Sequence, residues 1–126
     1  MTRKTTELIK KSQMPRGDLP NCHDGEGTLT FARVYRSDIS QMPTAVRFIH
    51  DDTLPPGTSI GYHNHGEEEE YYYVIEGAGC MQLDDEEHRI SAGDVAVLYP
   101  GGAHGLVNDT DAPLRVIVIG AIAKED

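Results

Sequence analysis

The chain has 126 residues, 38% of them hydrophobic and 25% charged. That is one domain with a feasible core, and it excludes collagen-like, mucin-like and wholly disordered readings. Twenty-one acids against eleven bases leave a formal net charge of −10, which repels phosphate backbones and anionic lipid, so neither nucleic acid nor a membrane is an expected partner.

The N-terminal stretch is the exception to this acidity. Residues 1–20 hold five bases and two acids, whereas residues 21–126 hold six bases and nineteen acids. A basic arm on an acidic body invites docking onto that body or onto a neighbouring copy, with a frayed terminus as the plain alternative. The expected organisation is an arm over 1–20 and a single β domain over 21–126. The arm lacks the apolar run of a secretory signal, and no run of about eighteen apolar residues follows, so a cytoplasmic chain is expected. Cys22 and Cys80 are too few for a disulfide framework.

In chain order, residues 5–14 could form a short helix around Leu8, Ile9 and Met14. Pro15, Gly17 and Pro20 then break the chain, and Asn21 to Gly27 reads as a loop. From there the pattern predicts nine short strands, at 28–36, 44–50, 57–65, 70–76, 79–83, 87–91, 94–98, 104–108 and 114–122. Gln41-Met42-Pro43, Asp51 to Gly57, Gly66 to Glu69 and Pro100-Gly101-Gly102 are among the dividers. Short strands with Gly/Pro punctuation and no long helix imply an all-β sandwich or barrel.

The chemistry-bearing stretch is Gly61-Tyr62-His63-Asn64-His65-Gly66-Glu67-Glu68-Glu69-Glu70. Alternate residues of a strand share a face, so His63 and His65 form a chelating pair for a divalent cation. Glu70 opens the next strand and can return a carboxylate beside His65. Gly61 shares the histidine face and leaves room there for something bound. Two surface histidines and a solvated glutamate run are the plain alternative.

This segment resembles the first signature of the cupin superfamily, carried by Gly57, His63, His65, Glu70 and Gly77. The second signature follows at the family's spacing, with Gly93, Gly101, His104 and Asn108 in its places. Tyr99 departs from the family's usual proline, and Pro100 beside it keeps the turn. The two motifs span residues 57–108. The resemblance implies a double-stranded β-helix, or jelly-roll barrel, with a metal inside. Its ligands would be His63, His65, Glu70 and His104, with Glu69 the alternative if the turn is one residue shorter.

Three imidazoles and a carboxylate suit one divalent transition metal, whether Fe, Mn, Zn, Ni, Co or Cu, and the absence of thiolate disfavours a soft metal. Four protein ligands leave open positions on an octahedral ion for a small oxygen-rich molecule. Glu67 to Glu69 add negative potential that favours cation entry. If Glu70 faces inward, so do Tyr72, Val74 and Glu76, which makes Tyr72 the candidate catalytic proton carrier. Arg47, if inward, could pair with a substrate carboxylate. Cys22 and His23 could cap the barrel mouth, while His50 and His88 sit beside acidic turns as surface groups.

Ile60, Tyr62, Tyr71, Tyr73 and Ile75 alternate with the metal face, so the outer sheet face reads as apolar. The run Leu114 to Ile122 reads as a strand buried on both sides. Monomers rarely expose such a face, which predicts a homodimer. The functional expectation is a metal-dependent enzyme acting on a small organic acid or sugar derivative, and the cupin resemblance implies a dioxygenase, decarboxylase, isomerase or lyase. The alternative is a non-catalytic binding or sensor protein.

Overall fold

A computed structural model describes residues 5–37 and 44–124. The first four residues of the expected arm and the Gln41-Met42-Pro43 divider lie outside that range. Ten strands occur in chain order: β1 (Arg16–Pro20), β2 (Thr28–Arg36), β3 (Val46–Leu54), β4 (Ser59–Asn64), β5 (Glu68–Glu76), β6 (Ala78–Leu83), β7 (Glu86–Ser91), β8 (Val95–Leu98), β9 (Ala103–Val107) and β10 (Leu114–Ile122). They form a six-stranded sheet in the order β1-β2-β3-β10-β5-β8 and a four-stranded sheet in the order β4-β9-β6-β7. Every pairing between them is antiparallel. No helix among the described residues is long and apolar enough to cross a membrane.

The two sheets close on one core, contributed by Leu29, Leu54, Tyr72, Val74, Val116 and Val118 from the larger sheet and Ile60, Met81, Ile90 and Leu106 from the smaller. Alternation along β10 drives this closure: Leu114, Val116 and Val118 are buried, while Ile117 and Ile119 are only half-buried on the outer face. The corner after β9 is pinned by the fully buried Asn108. Its Nδ2 donates to the carbonyls of Leu54 and Ala112, each at 2.8 Å, and its Oδ1 accepts from the Thr110 amide and hydroxyl. Gly77 turns the chain at φ +86°, and a Cβ there would collide with the Pro113 carbonyl oxygen, so only glycine fits.

Three expectations change. Residues 16–20 pair with β2 as an edge strand. Their proline and glycine are tolerated because an edge needs only one side of its ladder satisfied, and Pro20 sits at the strand's last position. Residues 5–14 hold no α-helix, only one 3₁₀ turn at Lys11–Gln13, since Leu8 is exposed and packs on nothing that would fix a helix. The strand expected at 44–50 runs on to Leu54, because Asp51 and Asp52 are paired strand residues rather than a turn.

Candidate metal centre

The sheets bring four side chains to one point. His63 comes from β4, His65 from the turn just beyond it, Glu70 from β5 and His104 from β9. His63 and His104 are register partners across β4 and β9. The His65 backbone is clamped to the second motif: its N–H donates to the Gly102 carbonyl at 3.2 Å, and its carbonyl accepts from Gly101 N–H at 3.0 Å. The spacing between the two motifs therefore serves to lay one turn against the other.

One donor atom from each of the four side chains falls within 4.8 Å of all the others. His104 Nε2 lies 3.2 Å from His63 Nε2 and 3.2 Å from Glu70 Oε1, and His65 Nε2 lies 3.4 Å from Glu70 Oε2. Donors about 2.1 Å from a metal stand roughly 3 Å apart when adjacent, so these separations suit one ion. Two further observations support the fit. The His65 Nε2–Glu70 approach is too poorly aligned to be a hydrogen bond, leaving that buried nitrogen without a hydrogen-bond partner among the described residues. His63 Nδ1 lies 2.6 Å from the Gly61 carbonyl oxygen, which can only accept, so Nδ1 carries the hydrogen and Nε2 carries the lone pair. Burial, partly opposed by that carbonyl and reinforced by the neighbouring imidazoles, holds the His63 pKa down to about 4. The ring is therefore neutral, as a ligand must be.

Asn21 to Asp24 cap this cluster. Asn21, His23 and Asp24 all take positive φ, and the His23 ring stacks on His63 with centroids 3.6 Å apart and planes 13° apart. The space expected beside Gly61 is filled by this turn: a Cβ on Gly61 would collide with the His23 carbonyl oxygen. Cys22 packs half-buried against the core, and burial, with Asp52 and Glu70 nearby, pushes its thiol up to about 11. Both cysteines are free.

Behind the cluster lies a cavity of about 240 Å³. Glu70 and Tyr72 line it from β5, His50 and Asp52 from β3, Arg33 from β2 and His23 from the cap. Tyr72 is buried, with its ring centroid 4.8 Å from that of His104. Burial, then the charges of Glu70, Asp52 and Cys22, raise its pKa well above the ordinary tyrosine value. His50, expected at the surface, faces this cavity, and burial and the nearby Arg33 and Arg36 lower its pKa. His88 is exposed. Arg47 is exposed and lines a separate hollow with Arg33, Arg36 and Glu68.

Two bulges reverse expected faces. The β4–β9 register shifts between Ile60 and His63, so Ile60 turns into the core while Tyr62 stays outside. The β5–β10 register shifts between the Val74 and Glu76 pairings, so Glu76 is exposed although Glu70, Tyr72 and Val74 face inward. One extra residue flips every side chain beyond it. Glu69 pairs opposite Ala121 and lies on the other face from Glu70, which settles the cluster's carboxylate as Glu70. Sequence reasoning missed Asp52 and His50 as cavity residues. The available signal was the alternation Phe48, His50, Asp52, Leu54, had the strand been extended through its acids.

Two antiparallel sheets closed on a common core, with a His₃Glu cluster between them, define a β-barrel protein with a candidate metal site. Residues 51–120 match the family model for the Cupin domain, and the chain belongs to the cupin family. It is 27% identical over 115 residues to an oxalate-binding protein of Thermotoga maritima, covering 91% of this chain and 93% of that one. A crystal structure of a predicted oxalate decarboxylase from Thermotoga maritima superposes with a TM-score of 0.84 at 25% identity, covering 93% of this chain and all of that one. A cupin-superfamily sugar phosphate isomerase from Silicibacter pomeroyi superposes with a TM-score of 0.71 at 26% identity, over 93% of this chain and 76% of that one.

Proposed function

We propose that this cupin holds one divalent transition metal through His63, His65, Glu70 and His104 and binds a small organic acid beside it, as a metal-dependent enzyme. The observation that carries this reading is the convergence of four donor atoms, one of them a buried nitrogen with no hydrogen-bond partner. A bound divalent ion would supply a Lewis acid and a template for an oxygen-rich ligand. The chain's own residues do the rest. His23 and Gly61 hold the His63 ring in place, Tyr72 keeps its proton and would donate it in a hydrogen bond to a bound ligand, and Ile60, Phe48 and Val118 give the cavity an apolar wall. The name of the Thermotoga maritima relative favours a small carboxylic acid, and also a second reading in which the protein binds such an acid without turning it over.

The test is elemental analysis of anaerobically purified protein beside a His63→Ala/His104→Ala double variant. About one equivalent of metal per chain is expected in the parent and little in the variant. A parent that takes no metal, even on reconstitution, overturns the reading. Iron then directs assays to oxygen consumption, and manganese, zinc or nickel to decarboxylase, isomerase and lyase substrates.

A homodimer is part of the same proposal. Tyr73, Ile75 and Val95 are exposed on the outer face of the larger sheet, beside the half-buried Tyr71, Val97, Ile117 and Ile119. A second copy packed there would cover them. A monomeric mass in light scattering at micromolar concentration would remove that part alone.

A further inference from the structure

Asp52 is a buried carboxyl that the metal reading leaves without a role. It is 6% exposed, and its Oδ1 has no hydrogen-bond partner among the described residues. It lines the same cavity as Glu70 and Tyr72 of β5, which lies next but one to β3 in the same sheet. In register it lies directly opposite Phe31 on β2 and Val116 on β10, so its two immediate cross-strand partners are apolar. The groups around it are Asp51 beside it, His50 two residues back, Glu70 and Tyr72 on β5, Cys22 and His23 in the cap, and Arg33 on β2. Arg33 is the one arginine or lysine in that lining, with its guanidinium 5.6 Å from the Phe31 ring centroid.

A carboxylate buried with no donor costs several kcal/mol, and an apolar residue of similar size would serve the fold better. Burial, with Asp51 and Glu70 adding to it, pushes the Asp52 carboxyl up to about 7, so a proton is available to donate. An orphaned acid aimed into a cavity with one fixed positive charge is explained by a ligand that accepts hydrogen bonds and carries negative charge. The cavity's roughly 240 Å³ is below the common range for drug-sized ligands, which limits the occupant to a few heavy atoms.

We propose that Asp52 is a ligand-binding residue, hydrogen-bonding an outer oxygen of a small dicarboxylic or 2-oxo acid whose other end lies at the His63–His65–Glu70–His104 cluster, with Arg33 supplying the fixed positive charge. This rests on the metal reading above. A monocarboxylate such as acetate has no outer oxygen to offer Asp52, so the residue selects for a second acceptor group.

The experiment is calorimetric titration of Mn(II)-loaded protein with oxalate and, separately, with acetate, for the parent, Asp52→Leu and Asp52→Asn. Metal content and thermal melts are measured in parallel. Asp52→Leu is expected to keep its metal and its fold and to bind oxalate about tenfold or more weakly, the cost of a hydrogen bond to a charged group. Asp52→Asn, whose amide still donates, stays within about threefold of the parent. Acetate binding is the same in all three. If Asp52→Leu does not fold, Asp52→Ala, which fits any site, carries the same expectation. Oxalate affinity unchanged in the apolar variant overturns the inference, as does a metal-loaded parent that binds oxalate no better than acetate; the metal reading survives both results. A parent that takes no metal overturns the functional reading, and this inference falls with it.

Discussion

The two ends of the cavity are built in opposite ways. At the cluster end, four side chains from both sheets converge, and the surrounding backbone fixes them: the Gly61 carbonyl orients His63, and Gly101 and Gly102 clamp His65. At the Asp52 end, the polar groups stand on neighbouring strands of one sheet, with Arg33 opposite His50 in register and Asp52 two pairs further along, and Asp52 Oδ1 has no hydrogen-bond partner among the described residues. The first end has the donor geometry a cation would need. The second offers its acid no partner among the described residues, and on that contrast rest the separate metal and ligand sites proposed above.

The sharpest way to break the contrast is at Glu70. Glu70→Gln removes the cluster's only negative charge but keeps its shape, and metal affinity is expected to fall by about a hundredfold or more, measured by chelator competition. Next in size is Gly61→Ala. Its new methyl group must displace the His23 carbonyl, so a loss of about 2–3 kcal/mol in denaturant unfolding is expected. The same loss should appear in metal-free protein, because the clash is between backbone and methyl group and involves no ligand.

The two ends also pull stability in opposite directions with pH. In metal-free protein the folded state holds His63 at about 4, so the unfolded chain takes up this proton first, and stability falls as pH drops from about 6.5 towards 4. Folding raises Asp52 to about 7, so its contribution is complete below the ordinary carboxylate value and is lost as pH rises towards 7. Each slope approaches about 1.4 kcal/mol per pH unit at its steepest. Urea unfolding from pH 4.5 to 8 should therefore show Asp52→Asn losing the alkaline-side decline and keeping the acid-side one. The smallest effect is expected at Tyr72→Phe, which keeps metal and fold and weakens oxalate binding several-fold by removing one donor while preserving the ring against His104.

Much of this site is legible in the sequence because its information is local. His63, His65 and Glu70 lie within one strand, one turn and the next strand start, and the second motif supplies His104 at a fixed spacing. Strands 28–36 and 114–122 are equally plain from alternation and apolar runs, and both end where expected. The rest depends on pairing. A bulge after Ile60 and another beyond Val74 reverse faces that simple alternation assigns, and no residue type announces either one. Asp51 and Asp52 look like a turn, yet they are held in the ladder by β2, the strand before them, and by β10, which lies far away along the chain. Gly61 reads as empty space because the turn that fills it, some forty residues earlier, is invisible from the strand alone.

The order of the larger sheet has a consequence for how the protein is made. One of its two central strands, β10, lies between β3 and β5 and is the last of the ten strands in chain order. Until residues 114–122 leave the ribosome, β3 and β5 each lack a partner along one whole side, and Glu70 has no neighbouring strand to fix its register on that flank. Such a topology closes late, through contacts between distant parts of the chain, and exposes unpaired edges while it waits. The nascent chain therefore carries its histidines and glutamates before β10 fixes them, and on the proposed reading a metal would be taken up only after this sheet has closed.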